Sequence, residues 1–205
     1  ASAPNRIVPL LRPYRSPADR SDWFDDPTLV ARLERQLDAV PYRGIGEFHI
    51  HQLDRADTDL LRQVAELARE HDVPIHLHSD AEPVSFFYGL DHDLTIIWAH
   101  VGMVEDPPRI REMMARHATL YADTSYREHD ILGTDGAIVA AWRALFEDFP
   151  DRFMIGSDTW SNSQWARYED LIDKDPMALI EGPKLGRKLP DTLEYHEIER
   201  ILGTI

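Results

Sequence analysis

Cysteine is absent from the 205-residue sequence. Disulfides, thiolate nucleophiles and cysteine-ligated zinc or iron–sulfur centres are therefore excluded. Long hydrophobic runs are also missing, since none approaches the ~20 apolar residues that span a bilayer, and no charged-then-apolar signal segment opens the chain. Any metal must be bound by histidine and carboxylate side chains, and the sequence contains 10 histidines and 37 acidic residues.

Basic residues are scarce, with 22 lysines and arginines and a formal net charge of −15. A charge of this sign repels phosphate backbones and anionic lipid surfaces. We therefore expect a small-molecule substrate as partner, and neither nucleic acid nor a membrane. Homo-oligomerisation stays open, and a cytoplasmic location is favoured over a periplasmic one.

Short apolar runs alternate with helical patterns along the chain. This alternation is typical of a parallel sheet with helices outside it. We predict an α/β fold of the (β/α)₈ TIM-barrel type, forming one domain over residues 1–205, with a less regular C-terminal segment at 174–205. The predicted strands are residues 7–11, 44–50, 74–78, 94–99, 119–122 and 152–155.

A complete barrel of this type takes ~250 residues and eight strands, whereas six apolar runs are found here. The chain also begins at Ala1 without a methionine. We therefore expect a barrel that is incomplete at its N-terminus, with two strands either preceding Ala1 or supplied by another copy of the chain.

Helix boundaries are indicated by capping patterns and by periodicity. Asp26 as N-cap, followed by Pro27, predicts one helix start, and Asp106 followed by Pro107 predicts another in the same way. Aspartate is a favoured N-cap, and proline suits the first helical position. A further helix is predicted near residues 192–202, and another over 137–146. A helix packed on the sheet is predicted by the spacing of Leu60, Leu61, Val64, Leu67 and Ala68.

Ionisable side chains recur at the C-terminal ends of successive predicted strands, where barrel enzymes build their sites. Imidazole and carboxylate together are ligands for zinc, manganese, iron or nickel. His76 taken alone is interpreted as structural, because His78 could serve the site without it. The strand-end residues are Glu47, His49, His51, His76, His78, His100 and Asp158.

The ordered motifs of the chain resemble the amidohydrolase superfamily, in the branch that includes aminocarboxymuconate-semialdehyde decarboxylase. The motifs are Gly44-Ile-Gly-Glu-Phe-His-Ile, Pro74-Ile-His-Leu-His78, Ile96-Ile-Trp-Ala-His-Val-Gly102, Leu120-Tyr-Ala-Asp-Thr-Ser125 and Arg152-Phe-Met-Ile-Gly-Ser-Asp158. The resemblance implies a barrel fold and a divalent metal, with zinc favoured over manganese or iron.

The resemblance also implies roles for individual residues. His78 and Asp158 are metal ligands, and Asp158 accepts a proton from the attacking water. His100 is a ligand or a transition-state partner of the substrate carbonyl. Glu47 and His49 are secondary candidates for the metal site. Substrate contacts are expected from His51, Arg127 and Trp160, with Arg127 as a bidentate clamp on a carboxylate.

The sequence departs from the family pattern at its first strand, and this departure leaves several functions open. The first strand of the family normally carries a His-x-His pair, and no histidine precedes Gly44. We predict a metal-dependent hydrolase of a small amide, ester or lactone. The alternatives are a metal-dependent non-oxidative decarboxylase, which is a lyase, and a non-catalytic fragment or pseudoenzyme.

Two other enzyme classes lack their motifs. Gly44-Ile-Gly46 has no third glycine of the dinucleotide fingerprint. A serine hydrolase needs a Gly-x-Ser-x-Gly elbow, which does not occur.

Overall fold

The computed structural model describes residues 8–16, 19, 23–50, 53, 58–154, 156–159 and 161–167. Within these ranges one parallel sheet contains five strands. The strands are β1 (Ile45–Ile50), β2 (Ile75–Ser79), β3 (Ile96–Trp98), β4 (Leu120–Asp123) and β5 (Phe153–Met154).

Each strand pairs in parallel with the next one along the chain, in the order β1-β2-β3-β4-β5. A doubly wound sheet reverses its strand order at a switch point. The described sheet has no reversal, which is the order found in a (β/α) barrel. The predicted α/β barrel class is confirmed, with these strands forming part of such a barrel.

Helices connect the strands and cover one face of the sheet. They are α1 (Leu29–Ala39), α2 (Thr58–Glu70), α3 (Ala81–Leu90), α4 (Pro107–Arg116), α5 (Glu128–Ile131), α6 (Ala140–Asp148) and α7 (Asn162–Trp165). The longest of them, α2, has 13 residues. None of the helices in the described ranges could cross a membrane.

Alternate residues of β3, β4 and β5 enter two separate apolar clusters, because successive side chains point to opposite faces. Phe48, Leu77 and Trp98 belong to the large core beneath the helices. Ile97 and Met154 form a small cluster of their own. The small cluster lies on the face that becomes a barrel interior, and the strand-end polar residues lie above it.

Five of the six predicted strands are confirmed, and the prediction for residues 7–11 is wrong in the described part. Leu11 forms only an isolated parallel bridge with Ile45. Its N–H donates to the Gly44 carbonyl at 2.8 Å. Pro9 and Pro13 flank this bridge, and neither has an N–H to extend a ladder.

The helix predictions had mixed outcomes. Asp106 caps α4 as expected, accepting from the Arg109 N–H at 3.0 Å. The prediction of Asp26 as the N-cap of α1 is wrong, since Thr28 is the N-cap. Asp26 instead accepts from the backbone N–H of Thr28 at 2.9 Å.

Helix α3 was not predicted, because its sequence is apolar almost all round and shows no single helical face. Its first turn is stabilised by Glu105, whose carboxylate accepts from the Ala81 N–H at 2.9 Å. The predicted helix over 137–146 is confirmed as α6. The segment 174–205 and its predicted helix lie outside the described residues.

Candidate active site

A bulge in β1 places Glu47 at the C-terminal edge of the sheet. Gly46 pairs with His76 and Phe48 pairs with Leu77, so Glu47 is an extra residue without its own partner on β2. An extra residue of this kind locally bends a strand and re-aims its side chain. As a result the Glu47 carboxylate reaches the histidines of β2 and of the turn after β3.

Glu47, His78 and His100 form a compact group. One ligand atom from each lies within 4.8 Å of the other two. Nδ1 of His78 donates to Oε1 of Glu47 at 2.9 Å. Nε2 of His100 lies 3.5 Å from the same oxygen. The three side chains therefore offer two imidazoles and one carboxylate to a single point.

His100 lies in a short 3₁₀ segment directly after β3, and its backbone is left-handed, with φ of 55°. Non-glycine residues adopt this conformation at a cost, and such residues cluster at functional sites. Its side chain is 4% exposed. Nδ1 of His100 lies 2.8 Å from Oγ and 3.2 Å from the carbonyl oxygen of Ser125.

The carboxylate of Glu47 and the imidazole of His100 stabilise each other's charged forms. Burial alone would raise the pKa of Glu47, but hydrogen bonds from His100 and His78 hold it well below its usual range. Burial opposes the charged form of His100, yet its hydrogen bond to Glu47 and the charge of Asp123 raise its pKa to about 9. Without a metal, the pair is therefore a carboxylate and an imidazolium near neutral pH.

A cavity of about 220 Å³ adjoins this group. Its polar wall contains carboxylates from β1, β4 and the segment after β5. The walls are formed by Val8, Leu10, Glu47, His76, Ile97, His100, Asp123, Ser125, Met154, Gly156 and Asp158. A cavity with both polar and apolar walls is typical of small-molecule sites.

Asp158 lines this cavity but lies outside the three-residue group. Its backbone is left-handed, with φ of 41°. Burial and the nearby charge of Glu47 raise its pKa above the usual range. The structure thus places Asp158 at the wall of the cavity, where a proton acceptor would face a bound substrate.

His49 lies beside the group and not within it. Its ring stacks on that of His78 with centroids 4.0 Å apart. Its Nδ1 is hydrogen-bonded to the Tyr14 hydroxyl at 2.5 Å, and its backbone N–H donates to the same oxygen at 2.6 Å. The contacts with Tyr14 show how the ring orientation is fixed.

The interpretation of Arg127 as a substrate clamp does not fit its position. The residue is 2% exposed. Its guanidinium donates to the carbonyls of His100, Val101 and Glu105 at 3.1, 3.0 and 2.7 Å. It also pairs with Asp130 at 2.8 Å and stacks over Trp142. Arg127 therefore holds the backbone of the turn that carries His100.

Two predicted substrate contacts, His51 and Trp160, lie outside the described residues. Two cavity residues were missed or set aside by sequence reasoning. Nε2 of His76 donates to Oδ2 of Asp123 at 3.3 Å. Asp123 ends β4. Like the other candidates, Asp123 is an ionisable residue at the C-terminal end of a strand, so the same criterion could have identified it.

The described fold and site define a class: a (β/α)-barrel protein with a histidine–carboxylate centre at the C-terminal edge of its strands. The family model described as amidohydrolase matches residues 21–204. The chain belongs to the amidohydrolase family. Membership supports a function of the hydrolase or decarboxylase type, and the superfamily generally uses divalent metals.

A solved structure supports the fold assignment. The chain is similar to a probable 2-pyrone-4,6-dicarboxylic acid hydrolase from Acinetobacter baumannii, whose crystal structure has citric acid bound. The TM-score is 0.54 at 17% sequence identity, covering 85% of this chain and 68% of the other. This degree of identity shows a shared fold alone. No curated protein matched the sequence.

Proposed function

We propose that this chain is a divalent-metal-dependent hydrolase that cleaves a small amide, ester or lactone. The observation that carries the proposal is the convergence of Glu47, His78 and His100 within 4.8 Å, next to a cavity. Family membership supports the same reaction type.

The donor set of this group fits a catalytic metal. Zinc in enzymes is commonly held by histidine nitrogens and one carboxylate, with three protein ligands and an open position. Glu47, His78 and His100 supply that number and that chemistry. The group favours His100 as a third ligand over its alternative role as a free partner of the substrate carbonyl. Zinc remains the favoured ion, with manganese and iron as alternatives.

When bound, such an ion polarises a substrate carbonyl and lowers the pKa of a water molecule toward ~7. Asp158 stands at the cavity wall, outside the three-residue group. In the proposed reaction its carboxylate accepts a proton from the attacking water and returns it to the leaving group.

The size and lining of the cavity support a small substrate. A volume of about 220 Å³ suits a compact molecule better than a polymer. Val8, Leu10, Ile97 and Met154 form its apolar wall. This wall excludes water from part of the site, and electrostatic interactions with the reacting carbonyl are stronger where water is excluded.

Metal content and turnover measured on the same proteins test the proposal. Elemental mass spectrometry should find near-stoichiometric metal in wild type and in Asp158→Asn, and little in His78→Ala. His92→Ala is the matched control, because Asp91, His92 and Asp93 form a second, surface group of metal-ligand type. Metal lost from His92→Ala but kept by His78→Ala would place the ion at the surface and overturn the site.

Turnover is screened against neutral amides, esters and lactones with product detection by mass spectrometry. Asp158→Asn should lower kcat by at least about 100-fold, in the range for loss of a general acid–base group, while retaining the metal. Release of carbon dioxide from an aromatic carboxylic acid would instead identify a decarboxylase. Absence of bound metal in wild type would favour a non-catalytic scaffold.

A further inference from the structure

We propose that Ser125 and Asp123 are positioning residues that fix the ring of His100 with Nδ1 protonated and Nε2 turned toward Glu47 and His78. This inference extends the proposed function. Its zinc-affinity test rests on that function, whereas its NMR test in metal-free protein does not. It arises from a chain of hydrogen bonds behind His100, on the side away from Glu47.

Two oxygen atoms of Ser125 face Nδ1 of His100. The carbonyl oxygen of Ser125 lies 3.2 Å from Nδ1, and a carbonyl can only accept. Oγ of Ser125 lies 2.8 Å from Nδ1. A serine hydroxyl can donate or accept, so its role depends on where its own proton goes.

Asp123 decides the role of that hydroxyl. Oγ of Ser125 donates to Oδ1 of Asp123 through a short hydrogen bond. The same carboxylate oxygen accepts from the backbone N–H of Ser125 at 3.1 Å. Because the hydroxyl proton is committed to Asp123, the Oγ lone pair faces Nδ1 as an acceptor. Both partners of Nδ1 are therefore acceptors, at 2.8 and 3.2 Å, whereas the acceptor at Nε2, the Glu47 carboxylate, is 3.5 Å away. Nδ1 therefore carries a proton in the charged ring, and the shorter contacts keep the proton there in the neutral ring.

His76 completes the chain from the other side. Its Nε2 donates to Oδ2 of Asp123 at 3.3 Å, so both carboxylate oxygens are occupied by donors. Asp123 is 8% exposed and Ser125 is 3% exposed. A buried carboxylate held by three donors cannot rotate freely, which fixes the direction of the Ser125 hydroxyl.

The consequence appears at the opposite ring nitrogen. With Nδ1 protonated, the lone pair of neutral His100 is on Nε2, the atom that lies 3.5 Å from Glu47. Partners of this kind orient metal-ligating histidines, and their removal typically costs about 10–100-fold in metal affinity or activity. Ser125 and Asp123 thus make Nε2 available to the three-residue group.

The test compares Ser125→Ala and Asp123→Asn with wild type in two measurements. Zinc affinity is measured by competition with a chromophoric chelator, and both variants should bind about 10–100-fold more weakly. The matched control is Ser79→Ala, which removes an equally buried hydroxyl that donates to the Asp80 carbonyl. This control should bind zinc within about 2-fold of wild type, because the Ser79 side chain points to the face of β2 opposite to that of His78.

The second measurement is ¹⁵N NMR of the histidine side chains in metal-free protein, at an alkaline pH beyond which the His100 signals no longer change. Wild type should show His100 protonated at Nδ1. In Asp123→Asn the new amide can donate to Ser125, which frees the hydroxyl proton to face Nδ1, so the Nε2-protonated form should appear. Thermal unfolding checks that each variant is folded.

Unchanged zinc affinity in both variants would overturn the positioning role, as would an equal loss in Ser79→Ala. If wild type binds no zinc, the proposed function fails, and the NMR measurement alone decides this inference. In that case a change of tautomer in Asp123→Asn supports it, and the same tautomer in both proteins overturns it.

Discussion

Glu47 and His78 lie on neighbouring strands and share a 2.9 Å hydrogen bond, although they are not partners in the strand register. The register partner of His78 is His49. The bulge between Gly46 and Phe48 adds Glu47 to β1 without a counterpart on β2. A single inserted residue therefore determines which side chains of β1 meet the histidines of β2.

Gly46→Ala should destabilise the fold by roughly 2–3 kcal/mol, because both strain and steric overlap are introduced at this position. The φ of Gly46 is 136°, and an added Cβ would lie 2.2 Å from the His76 carbonyl oxygen. The His76 carbonyl belongs to β2, which pairs with both β1 and β3, so this backbone cannot move aside. The free energy of unfolding is measured in urea.

The control for this experiment is Gly89→Ala in α3, where an added Cβ meets nothing within 4 Å. Alanine is favoured over glycine within a helix, so this variant should gain up to about 1 kcal/mol. A Gly46→Ala protein as stable as wild type would argue against the bulge as described.

His49→Gln should keep its metal, whereas His78→Gln should lose it. The reason is that His49 lies outside the group of three ligand atoms and forms a hydrogen bond with the Tyr14 hydroxyl. We expect a change in zinc affinity below about 5-fold for His49→Gln, and a loss of at least about 100-fold for His78→Gln, beyond the usual effect of an outer partner. Equal losses would restore His49 as a ligand.

Arg127→Lys should destabilise the protein by about 2–4 kcal/mol, since an ammonium group cannot reproduce the planar fork that serves several buried carbonyls. The turn that carries His100 loses its support, so zinc affinity should fall as well. Calorimetry and chelator competition measure the two effects.

Arg109→Lys provides the comparison, because Arg109 forms an exposed pair with Glu112 on α4. Its stability should change by less than about 0.5 kcal/mol. If Arg127→Lys were fully stable and only raised KM for carboxylate substrates, the clamp interpretation would be the better one.

The metal-free protein should lose stability as the pH rises from about 6.5 to about 9. Burial disfavours charged His100, but Glu47 and Asp123 outweigh it and raise the pKa to about 9. A raised pKa contributes stability that is complete below the unfolded value of about 6.5 and is lost through the folded value. The contribution is on the order of 3 kcal/mol.

Urea unfolding across this pH range, with a chelator present, measures the slope. His100→Gln should flatten it, since the titrating imidazole is gone. His92→Gln changes a histidine whose side chain is 87% exposed and should leave the slope as it is. An unchanged slope in His100→Gln would assign the pH dependence to another group.

The sequence predicted the strands best where apolar runs were bounded by clear turns. The runs at 44–50, 74–78, 94–99, 119–122 and 152–155 all contain strands, because a parallel strand buried on both faces is recognisable as a short apolar segment. The run at 7–11 is similarly apolar but forms only an isolated bridge. Pro9 and Pro13 have no N–H to extend a ladder, so apolar content alone did not predict its outcome.

Residue spacing along the chain indicated that Glu47 and His78 lie on strands, that His100 and Asp158 follow strands, and that all four share one edge of the sheet. It also indicated the resemblance that membership of the amidohydrolase family confirmed. These features are local, since alternation along a strand and the position of its end are properties of a short segment.

The tertiary structure alone decided which of these side chains meet. The bulge selected Glu47 over His49, the left-handed turn after β3 carried His100 back to Glu47, and Arg127 was buried beneath that turn. The Asp123–Ser125–His100 contacts also required β4 to lie beside β3. Each of these contacts depends on register and backbone direction between segments distant in sequence, and residue type constrains these only weakly.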